Sequence, residues 1–337
     1  MIKDILEKLI KGEKLTRKEA YKTMDMIMAG EVNDVQIAAY LTALRCKGES
    51  EEEIIGSCLA IREHSKRVPY HHSLMVDTCG TGGDGRGTFN ISSVSALVVA
   101  GAGVPVAKHG NRAVSGKCGS ADLWESLGVN VEMPPAEAAS CLDRSKIAFL
   151  FAPIMHPAMA RAVPARKSLG VRTVFNILGP LNNPAEVKKQ VIGVFDAQLT
   201  EKMAGVLSSL GAECALVVHG LDGTDEISLA GETRVTELRH GTLKSFTISP
   251  EDYGLSRVPL EYLRGGDEST NAAICLSILQ GERGPRRDVV LLNAGAAIYV
   301  SGKAHDLHEG INLASESIDS GAALEVLKSL RQQTQIS

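Results

Sequence analysis

The stretch VDTCGTGGDGRGTFNISS, residues 76–93, contains five glycines, at positions 80, 82, 83, 85 and 87. An apolar run enters it at 74–76, and an apolar run compatible with a helix leaves it at 91–100. Glycine permits positive φ and has no Cβ, so the backbone N–H groups of such a loop can converge on an anion. A helix that starts at the exit adds its dipole. By glycine content alone, a phosphate-binding loop and a flexible turn before a capped helix are equally good interpretations.

The polar side chains of this stretch bear on which of these two interpretations is correct. Asn90, Ser92 and Ser93 supply donors at the start of the helix, whereas Asp84 places a carboxylate among them. Because a carboxylate repels phosphate, we expect Asp84 to meet a sugar hydroxyl. The loop has neither the Gly-Lys-Ser/Thr of a Walker loop nor the spaced acidic residue of a dinucleotide-binding unit.

Composition limits the class of protein. The 337 residues suit one large domain plus a smaller one. With 36 Lys and Arg against 40 Asp and Glu, the net charge is −4, so neither nucleic acid nor a membrane is expected as a partner. We find no signal peptide and no long apolar segment, which predicts a cytoplasmic protein. The seven cysteines form no CxxC pair, so neither zinc nor a disulfide framework is indicated.

The pattern of the chain predicts an α/β fold in two parts. Residues 1–70 read as a small all-helical N-terminal subdomain, with capping signatures at Thr16/Glu19, Asn33/Gln36 and Ser50/Glu53. This subdomain is a plausible dimer surface. Residues 71–337 alternate between strands and helices, which predicts a large, mainly parallel sheet wrapped by helices.

The positions of the individual strands and helices are predicted from the apolar runs and from the residues that bound them. Strands are predicted at 74–76, 104–107, 129–131, 147–151, 190–194 and 214–218, with a small β excursion at 232–248. Helices are predicted at 91–100, 119–127, 135–144, 157–169 and 198–210, and three more at 269–281, 285–300 and 307–331. Ligands of such sheets bind at the carboxyl ends of the strands, where the polar clusters of this chain fall.

Two further loops carry charge. KHGNRAVSGKCGS, residues 108–120, combines the cations Lys108, Arg112 and Lys117 with small residues and donors, which suits a polyphosphate better than a solvated basic loop. Asp225 and Glu226 lie just beyond a strand. Adjacent acids on a loop are usually solvated, but beside two anion-binding loops they suit Mg²⁺ bound to substrate phosphates.

A fourth cluster lies in HPAMARAVPAR, residues 156–166. It predicts a helix that carries Arg161 and Arg166. Such an arginine can bind a substrate carboxylate with two hydrogen bonds, although a plain surface arginine is an equally good interpretation.

Taken together, four segments resemble the anthranilate phosphoribosyltransferase family of tryptophan biosynthesis. They are the glycine-rich stretch, KHGNRAVSGKCGSADLWESLG, FLFAPIMHPAMARAVPARKSLGVRTVFNILGPLNNP and GTDEIS, in this order and spacing. The resemblance covers essentially the whole chain. Ala113 and Cys118 stand where the family is expected to have serine, and both are small. Pyrimidine nucleoside phosphorylases resemble this family, but an extra C-terminal domain is expected of them, for which this chain has no room.

The resemblance implies a set of substrate and metal contacts. Contacts to 5-phosphoribosyl 1-diphosphate (PRPP) are implied for Gly80, Gly83, Asp84, Thr88, Asn90, Ile91, Ser92 and Ser93. The loop implied to close over its phosphates comprises Lys108, His109, Gly110, Asn111, Arg112, Ala113, Val114, Ser115 and Gly116, with Ser120. Anthranilate is implied to contact Gly80, Asn111 and Arg166, with His109, His156 and Pro180 along its path. Mg²⁺ is implied at Ser92, Asp225 and Glu226, and Lys108, Asn111 and Arg166 are implied as catalytic.

The implied reaction is transfer of the phosphoribosyl group to the amino nitrogen of anthranilate, with release of diphosphate. Two alternatives remain. A nucleic-acid-binding protein on the same fold would need a basic groove, against which the net charge argues. A nucleoside phosphorylase would instead cleave pyrimidine nucleosides with phosphate.

Overall fold

The computed structural model describes residues 1–113 and 116–335. The α-helices are α1 (Ile2–Ile10), α2 (Arg17–Ala29), α3 (Asp34–Lys47), α4 (Glu51–Glu63), α5 (Ile91–Gly101), α6 (Ser120–Ser126), α7 (Pro135–Ser145), α8 (Ala152–Met155), α9 (Val163–Leu169), α10 (Phe175–Leu178), α11 (Leu199–Ser209), α12 (Glu268–Leu279), α13 (Pro285–Ser301), α14 (Leu307–Asp319) and α15 (Ala322–Thr334). Short 3-10 helices are Pro157–Ala162, Pro250–Tyr253 and Leu260–Leu263.

The helical N-terminus is set by local sequence signals. Thr16, Asn33 and Ser50 each accept a hydrogen bond from the backbone N–H three residues on, and Glu19, Gln36 and Glu53 bond back to the capping residue. These reciprocal bonds satisfy donors that a helix start otherwise leaves free. The three predicted capping boxes are therefore confirmed.

The sheet is mainly parallel. Its strands are β1 (Asp77–Gly80), β2 (Val106–Gly110), β3 (Ile147–Phe151), β4 (Lys189–Gly193), β5 (Cys214–Gly220), β6 (Thr233–Arg239) and β7 (Thr242–Ile248). Strands β1-β4-β5-β6-β7 lie in that order, β2 pairs with β3, and a bridge between Val76 and Val106 joins the two groups. The pairings up to β5 are parallel, while β6 and β7 extend the sheet antiparallel.

Helices cover both faces of the sheet. Alternate residues of β5 point to opposite sides, so Leu216 and Val218 belong to one core and Ala215 and Val217 to the other. The first core includes α5 and α13, and the second includes α2, α3, α4 and α11. The N-terminal helices thus share a core with one face of the sheet, and the predicted division at residue 70 stays a prediction.

Four predicted elements differ from the structure. Residues 129–131 form no strand, because Val129 N bonds to Trp124 O at 3.0 Å and Asn130 N bonds to Thr334 Oγ1 at 3.2 Å. The first strand begins at Asp77 rather than within 74–76, of which only Val76 forms a bridge.

The other two differences concern helices. The predicted helix 157–169 starts as the 3-10 helix Pro157–Ala162 and becomes α-helical only at Val163, next to Pro164. The predicted helix 307–331 is two helices, separated at Gly321, whose φ of 77° ends the helical path.

Candidate active site

Three loops meet at the carboxyl ends of β1, β2 and β5. Gly82 N in the glycine-rich loop donates to Asp225 Oδ2 at 2.7 Å, and Ser92 N donates to Glu226 Oε1 at 3.2 Å. Lys108, in the middle of β2, places its Nζ 3.4 Å from Ser92 Oγ. The predicted convergence of the three loops at this edge of the sheet is therefore observed.

Backbone geometry explains the glycines. The φ angles lie between 66° and 72° at Gly82, Gly83, Gly85 and Gly87. Residues that have a Cβ atom rarely adopt such positive φ angles. Gly80 has an ordinary φ, but an added Cβ would lie 2.6 Å from Asp225 Oδ2. The loop therefore needs glycine both for its turns and for its close approach to the acidic loop.

The acidic loop is electrostatically strained. Burial, followed by the nearby Asp84 carboxylate, raises the pKa of Asp225 to about 6. Burial, followed by Asp225, raises the pKa of Glu226 well above its usual value. Asp84 Oδ2 is buried and has no hydrogen-bond partner among the described residues. Three neighbouring carboxylates, offset only in part by the Lys108 ammonium group, suit a hard cation with oxygen ligands.

The donor set fits a magnesium ion held partly by substrate. Within residues 1–113 and 116–335, no group of three or more His, Cys, Asp or Glu is arranged to hold a metal by itself. Mg²⁺ commonly takes only one or two carboxylates and fills its remaining positions with water and phosphate oxygens. Asp225, Glu226 and the Ser92 hydroxyl match that pattern.

Lys108 is buried rather than exposed on a basic loop. Its side chain is 2% exposed, and its Nζ donates to Thr78 O as well as facing Ser92 Oγ. The ammonium group thus lies between β1 and the start of α5. A fixed cation at this position stabilises negative charge close by without having to reorganise.

The other charged and polar residues of the Lys108 loop bond mainly to residues of α6. The Arg112 guanidinium pairs with Glu125 at 2.5 and 2.7 Å and with Asp122 at 3.1 Å. Asn111 N donates to Ser120 Oγ at 3.2 Å. The predicted substrate contacts of Arg112 and Asn111 stay predictions, and those of Val114 and Ser115 fall outside the described residues.

Asn90 anchors the start of α5. Its Oδ1 accepts from Asn271 Nδ2 at 2.9 Å, and its Nδ2 donates to Cys118 O at 3.2 Å. Cys118 Sγ also donates to Asn90 Oδ1, at 3.3 Å. The thiol can therefore form a hydrogen bond at the position where serine was expected.

Two histidines face each other beside the site. The ring centres of His109 and His156 are 5.0 Å apart, and both side chains are buried. Burial, followed by His156, lowers the pKa of His109 well below its usual value, and burial lowers the pKa of His156 to about 4. Both rings are consequently neutral near pH 7, and the Nε2 of each has no partner among the described residues.

Arg166 has the surroundings of a ligand-binding arginine. It lies in α9, its guanidinium carbon is 5.0 Å from the centre of the Phe175 ring, and burial lowers its pKa. Within the described residues it makes no ion pair and no side-chain hydrogen bond. A desolvated cation without a partner favours a negatively charged ligand group.

The remaining predicted residues have mainly backbone or packing roles in the structure. Thr88 forms a bridge with Arg264, Ile91 is buried, and Ser93 Oγ is buried without a partner among the described residues. An added Cβ on Gly110 would collide with Ser120 Oγ, whereas one on Gly116 would meet nothing. Ala113 N donates to Asp122 Oδ2 at 3.1 Å, and Pro180 O accepts from Gln190 Nε2 at 3.0 Å.

Sequence reasoning missed two residues that hold the site together. The Arg172 side chain donates to Gly83 O and lies 4.2 Å above the centre of the Phe195 ring. Asn271, 181 residues beyond Asn90, completes the anchor of α5. Arg172 could have been found as a cation without an assigned role in the segment 149–184 that carries the family resemblance. No local sequence pattern points to Asn271.

Comparisons with known proteins define the class first. The helical bundle domain of the glycosyl transferase family matches residues 3–65, and the a/b domain of that family matches residues 72–324. A relative from Symbiobacterium thermophilum, an anthranilate phosphoribosyltransferase, is 50% identical over 333 residues, covering 99% of this chain and 98% of its own.

Solved structures agree with this assignment. Anthranilate phosphoribosyltransferase from Thermus thermophilus has a TM-score of 0.93 at 45% identity, covering 99% of this chain and 100% of its own. The enzyme from Saccharomyces cerevisiae, in complex with PRPP and Mg, has a TM-score of 0.90 at 29% identity, covering 99% and 97%. The chain belongs to the anthranilate phosphoribosyltransferase family.

Proposed function

We propose that this chain transfers the 5-phosphoribosyl group of PRPP to the amino nitrogen of anthranilate, releasing diphosphate, in tryptophan biosynthesis. The observation that carries the proposal is the meeting of the glycine-rich loop, the buried Lys108 and the Asp225–Glu226 pair at one edge of the sheet. Family membership over nearly the full chain supports it.

The glycine-rich loop and Lys108 act on PRPP. Cleavage of the bond at the anomeric carbon leaves positive charge on the ribose and negative charge on the departing diphosphate. The backbone N–H groups of the loop and the start of α5 bind the phosphates, and the Lys108 ammonium offsets the charge that develops on the leaving group. Asn111, in the loop that contains Lys108, positions the substrates.

The acidic residues would hold a magnesium ion together with the phosphates of PRPP. Asp225, Glu226 and Ser92 would bind Mg²⁺, whose positive charge helps diphosphate to leave. Bound in this way, the two carboxylates stay ionised at neutral pH in spite of their burial, because a nearby cation favours the charged form. Asp84, whose carboxylate lies close to Asp225, would add to the negative charge that favours a cation here.

The acceptor site lies along the histidine pair. Arg166 binds the anthranilate carboxylate, and the neutral rings of His109 and His156, with Pro180, form the walls of its path. The neutral amine of anthranilate attacks without prior deprotonation and releases one proton to water after the nitrogen–carbon bond forms. The chain therefore contributes orientation at this step, by holding the nitrogen against the anomeric carbon.

A nucleoside phosphorylase is the rival function. If it were correct, pyrimidine nucleosides and phosphate would be consumed, and PRPP would release no diphosphate in response to anthranilate. Measuring both activities on one preparation distinguishes the two functions.

We expect Gly83→Val to raise the KM for PRPP far more than the KM for anthranilate. Gly83 has φ of 70°, where a β-branched residue is strained, and its carbonyl is held by Arg172. The substitution displaces the loop backbone that meets phosphate. Steady-state kinetics with each substrate varied in turn measures the effect, with Gly254→Val, at a φ of 71° outside the site, as control. Equal changes in both KM values would assign the loop a purely structural role.

The N-terminal helices provide a surface for a second copy of the chain. Ile10 and Val35 are 77% and 79% exposed. Ile10 belongs to a mainly apolar groove between α1 and α3, which is lined by Leu9, Ile10, Gly12, Ala38, Ala39, Thr42, Ala43, Cys46 and Lys47. We propose that the chain is a homodimer through residues 1–70, since burial of two such side chains on each copy favours association.

Replacing Ile10 and Val35 together by Glu should give a monomer in sedimentation velocity. The charges cannot be buried against a second copy without a large desolvation cost. Leu243→Glu, at a 43% exposed position on β7, is the control and should leave the dimer intact. A dimer that survives the double substitution would place the interface elsewhere.

No helix among the described residues has the length and apolar character needed to span a bilayer. We propose a cytoplasmic location, where PRPP and anthranilate are both available as soluble metabolites.

A further inference from the structure

Asp77 is a buried carboxylate to which the proposed reaction assigns no role. It is the first residue of β1 and is fully shielded from solvent. Its Oδ1 accepts a hydrogen bond from His109 N at 3.2 Å, and its Oδ2 accepts one from Asn183 Nδ2 at 2.8 Å. Burial of a carboxylate is costly, so one that is held by two separate segments has a definite structural task.

The two donors come from the two segments that the proposed function takes as walls of the acceptor path. His109 lies in β2, directly after Lys108. Asn183 lies in the segment between α10 and β4, three residues after Pro180. Asn183 Nδ2 also donates to Ala107 O at 2.7 Å, and its Oδ1 accepts from Ala185 N at 2.9 Å. Asn183 is therefore oriented by three partners, of which Asp77 is the one that lies on β1.

The backbone alone joins these parts weakly. β1 and β2 lie side by side, yet their only bridge among the described residues is that between Val76 and Val106, one residue before Asp77. Beyond it, the carboxylate of Asp77 takes the place of a ladder hydrogen bond by accepting from His109 N. The position of His109 relative to β1 thus depends on a side chain.

We propose that Asp77 is a positioning residue for the acceptor site, which sets the separation of His109 from the Pro180–Asn183 segment. The inference rests on the proposed function, because it takes those two elements as the walls of the anthranilate path. A group with two acceptor oxygens is required, since both neighbours are N–H donors.

Asp77→Asn is the test, because the amide has nearly the shape of the carboxylate but only one acceptor oxygen. One of the two donors then faces an NH₂ group, and the two walls separate. We expect kcat/KM for anthranilate to fall by roughly tenfold or more, since small displacements in a reacting pair are costly. The Kd of PRPP with Mg²⁺, measured by calorimetry, should not change.

Two further variants separate positioning from loss of fold. Asn183→Ala removes the other partner and should give the same anthranilate-selective defect, and adding it to Asp77→Asn should cost little more. It also serves as the test if Asp77→Asn does not fold. Ser317→Ala is the matched control, because it deletes a buried hydrogen bond, to Val98 O at 2.7 Å, that belongs to α14 and α5. It should lower the melting temperature without changing the ratio of the two KM values.

The inference is overturned if Asp77→Asn keeps the wild-type kcat/KM for anthranilate, or if PRPP binding weakens as much as anthranilate turnover. Failure of the proposed function looks different, since the wild-type protein itself would then release no diphosphate in response to anthranilate.

Discussion

Replacing Asp225 and Glu226 together by Asn and Gln should lower Mg²⁺-dependent turnover by about a thousandfold or more. A metal that stabilises a departing phosphate group contributes several kcal/mol, and about 1.4 kcal/mol corresponds to a factor of ten in rate. Amide oxygens are weak ligands beside carboxylates and carry no charge. The measurement is the initial rate of diphosphate release over a range of Mg²⁺ concentrations.

The same variant should fold as well as the wild-type protein, or better. Burial raises the pKa of Asp225 to about 6, so the folded state resists ionisation that the unfolded state undergoes at lower pH. Above pH 6, the charged carboxylate therefore reduces the stability of the metal-free protein, and a neutral amide removes that cost. The melting temperature at about pH 7.5 without Mg²⁺ should be unchanged or raised.

Glu251→Gln is a suitable control for this experiment. Glu251 is an exposed carboxylate of the 3-10 helix Pro250–Tyr253 and pairs with Arg257 at 3.2 Å, outside the three loops. Its replacement should change neither turnover nor the response to Mg²⁺. Wild-type activity in the Asp225–Glu226 double variant at ordinary Mg²⁺ concentrations would refute the metal assignment.

Arg166→Ala should lower kcat/KM for anthranilate by a factor of roughly 30 to several thousand. Removing one partner of a desolvated charge pair costs about 2 to 5 kcal/mol, because the other charge is left buried and unpaired. Arg166 lies over the Phe175 ring and makes no ion pair with the described residues, so its charge is available to the ligand. PRPP binding, measured by calorimetry with Mg²⁺, should change little.

Two substitutions of the same helix sharpen this result. Arg166→Lys should restore only part of the loss, because it keeps the charge and lacks the planar pair of donors. Lys167→Ala removes an exposed cation from α9 and should have no effect on either substrate. If Arg166→Ala instead weakens PRPP binding and leaves the anthranilate KM unchanged, the carboxylate is bound by another residue.

Local sequence signals were enough for much of the fold. The three capping boxes depend on residues three positions apart, so the sequence contains both partners of each bond. The glycine-rich loop is similar, because positive φ at Gly82, Gly83, Gly85 and Gly87 is a property of the glycines themselves. The meeting of the loops followed from the rule that parallel strands end at the same edge.

Errors arose where distant residues decide the outcome. Asn130 bonds to Thr334, 204 residues away, and this contact takes the donor that a strand at 129–131 would need. The phosphate contact of Arg112 stays a prediction, but its ion pairs with Glu125 and Asp122 on α6 could not be read from the loop alone. The burial of Lys108 and the contacts of Asp77 likewise depend on how β1 and β2 lie together, which no local pattern encodes.

The most direct test of the proposed reaction is to follow wild-type protein with PRPP, anthranilate and Mg²⁺ by ³¹P NMR and mass spectrometry. We expect one diphosphate to be released for each anthranilate consumed, and a product in which the phosphoribosyl group is attached to the amino nitrogen. Diphosphate release that continues unchanged without anthranilate, or a product lacking the nitrogen–ribose bond, would contradict the proposed reaction.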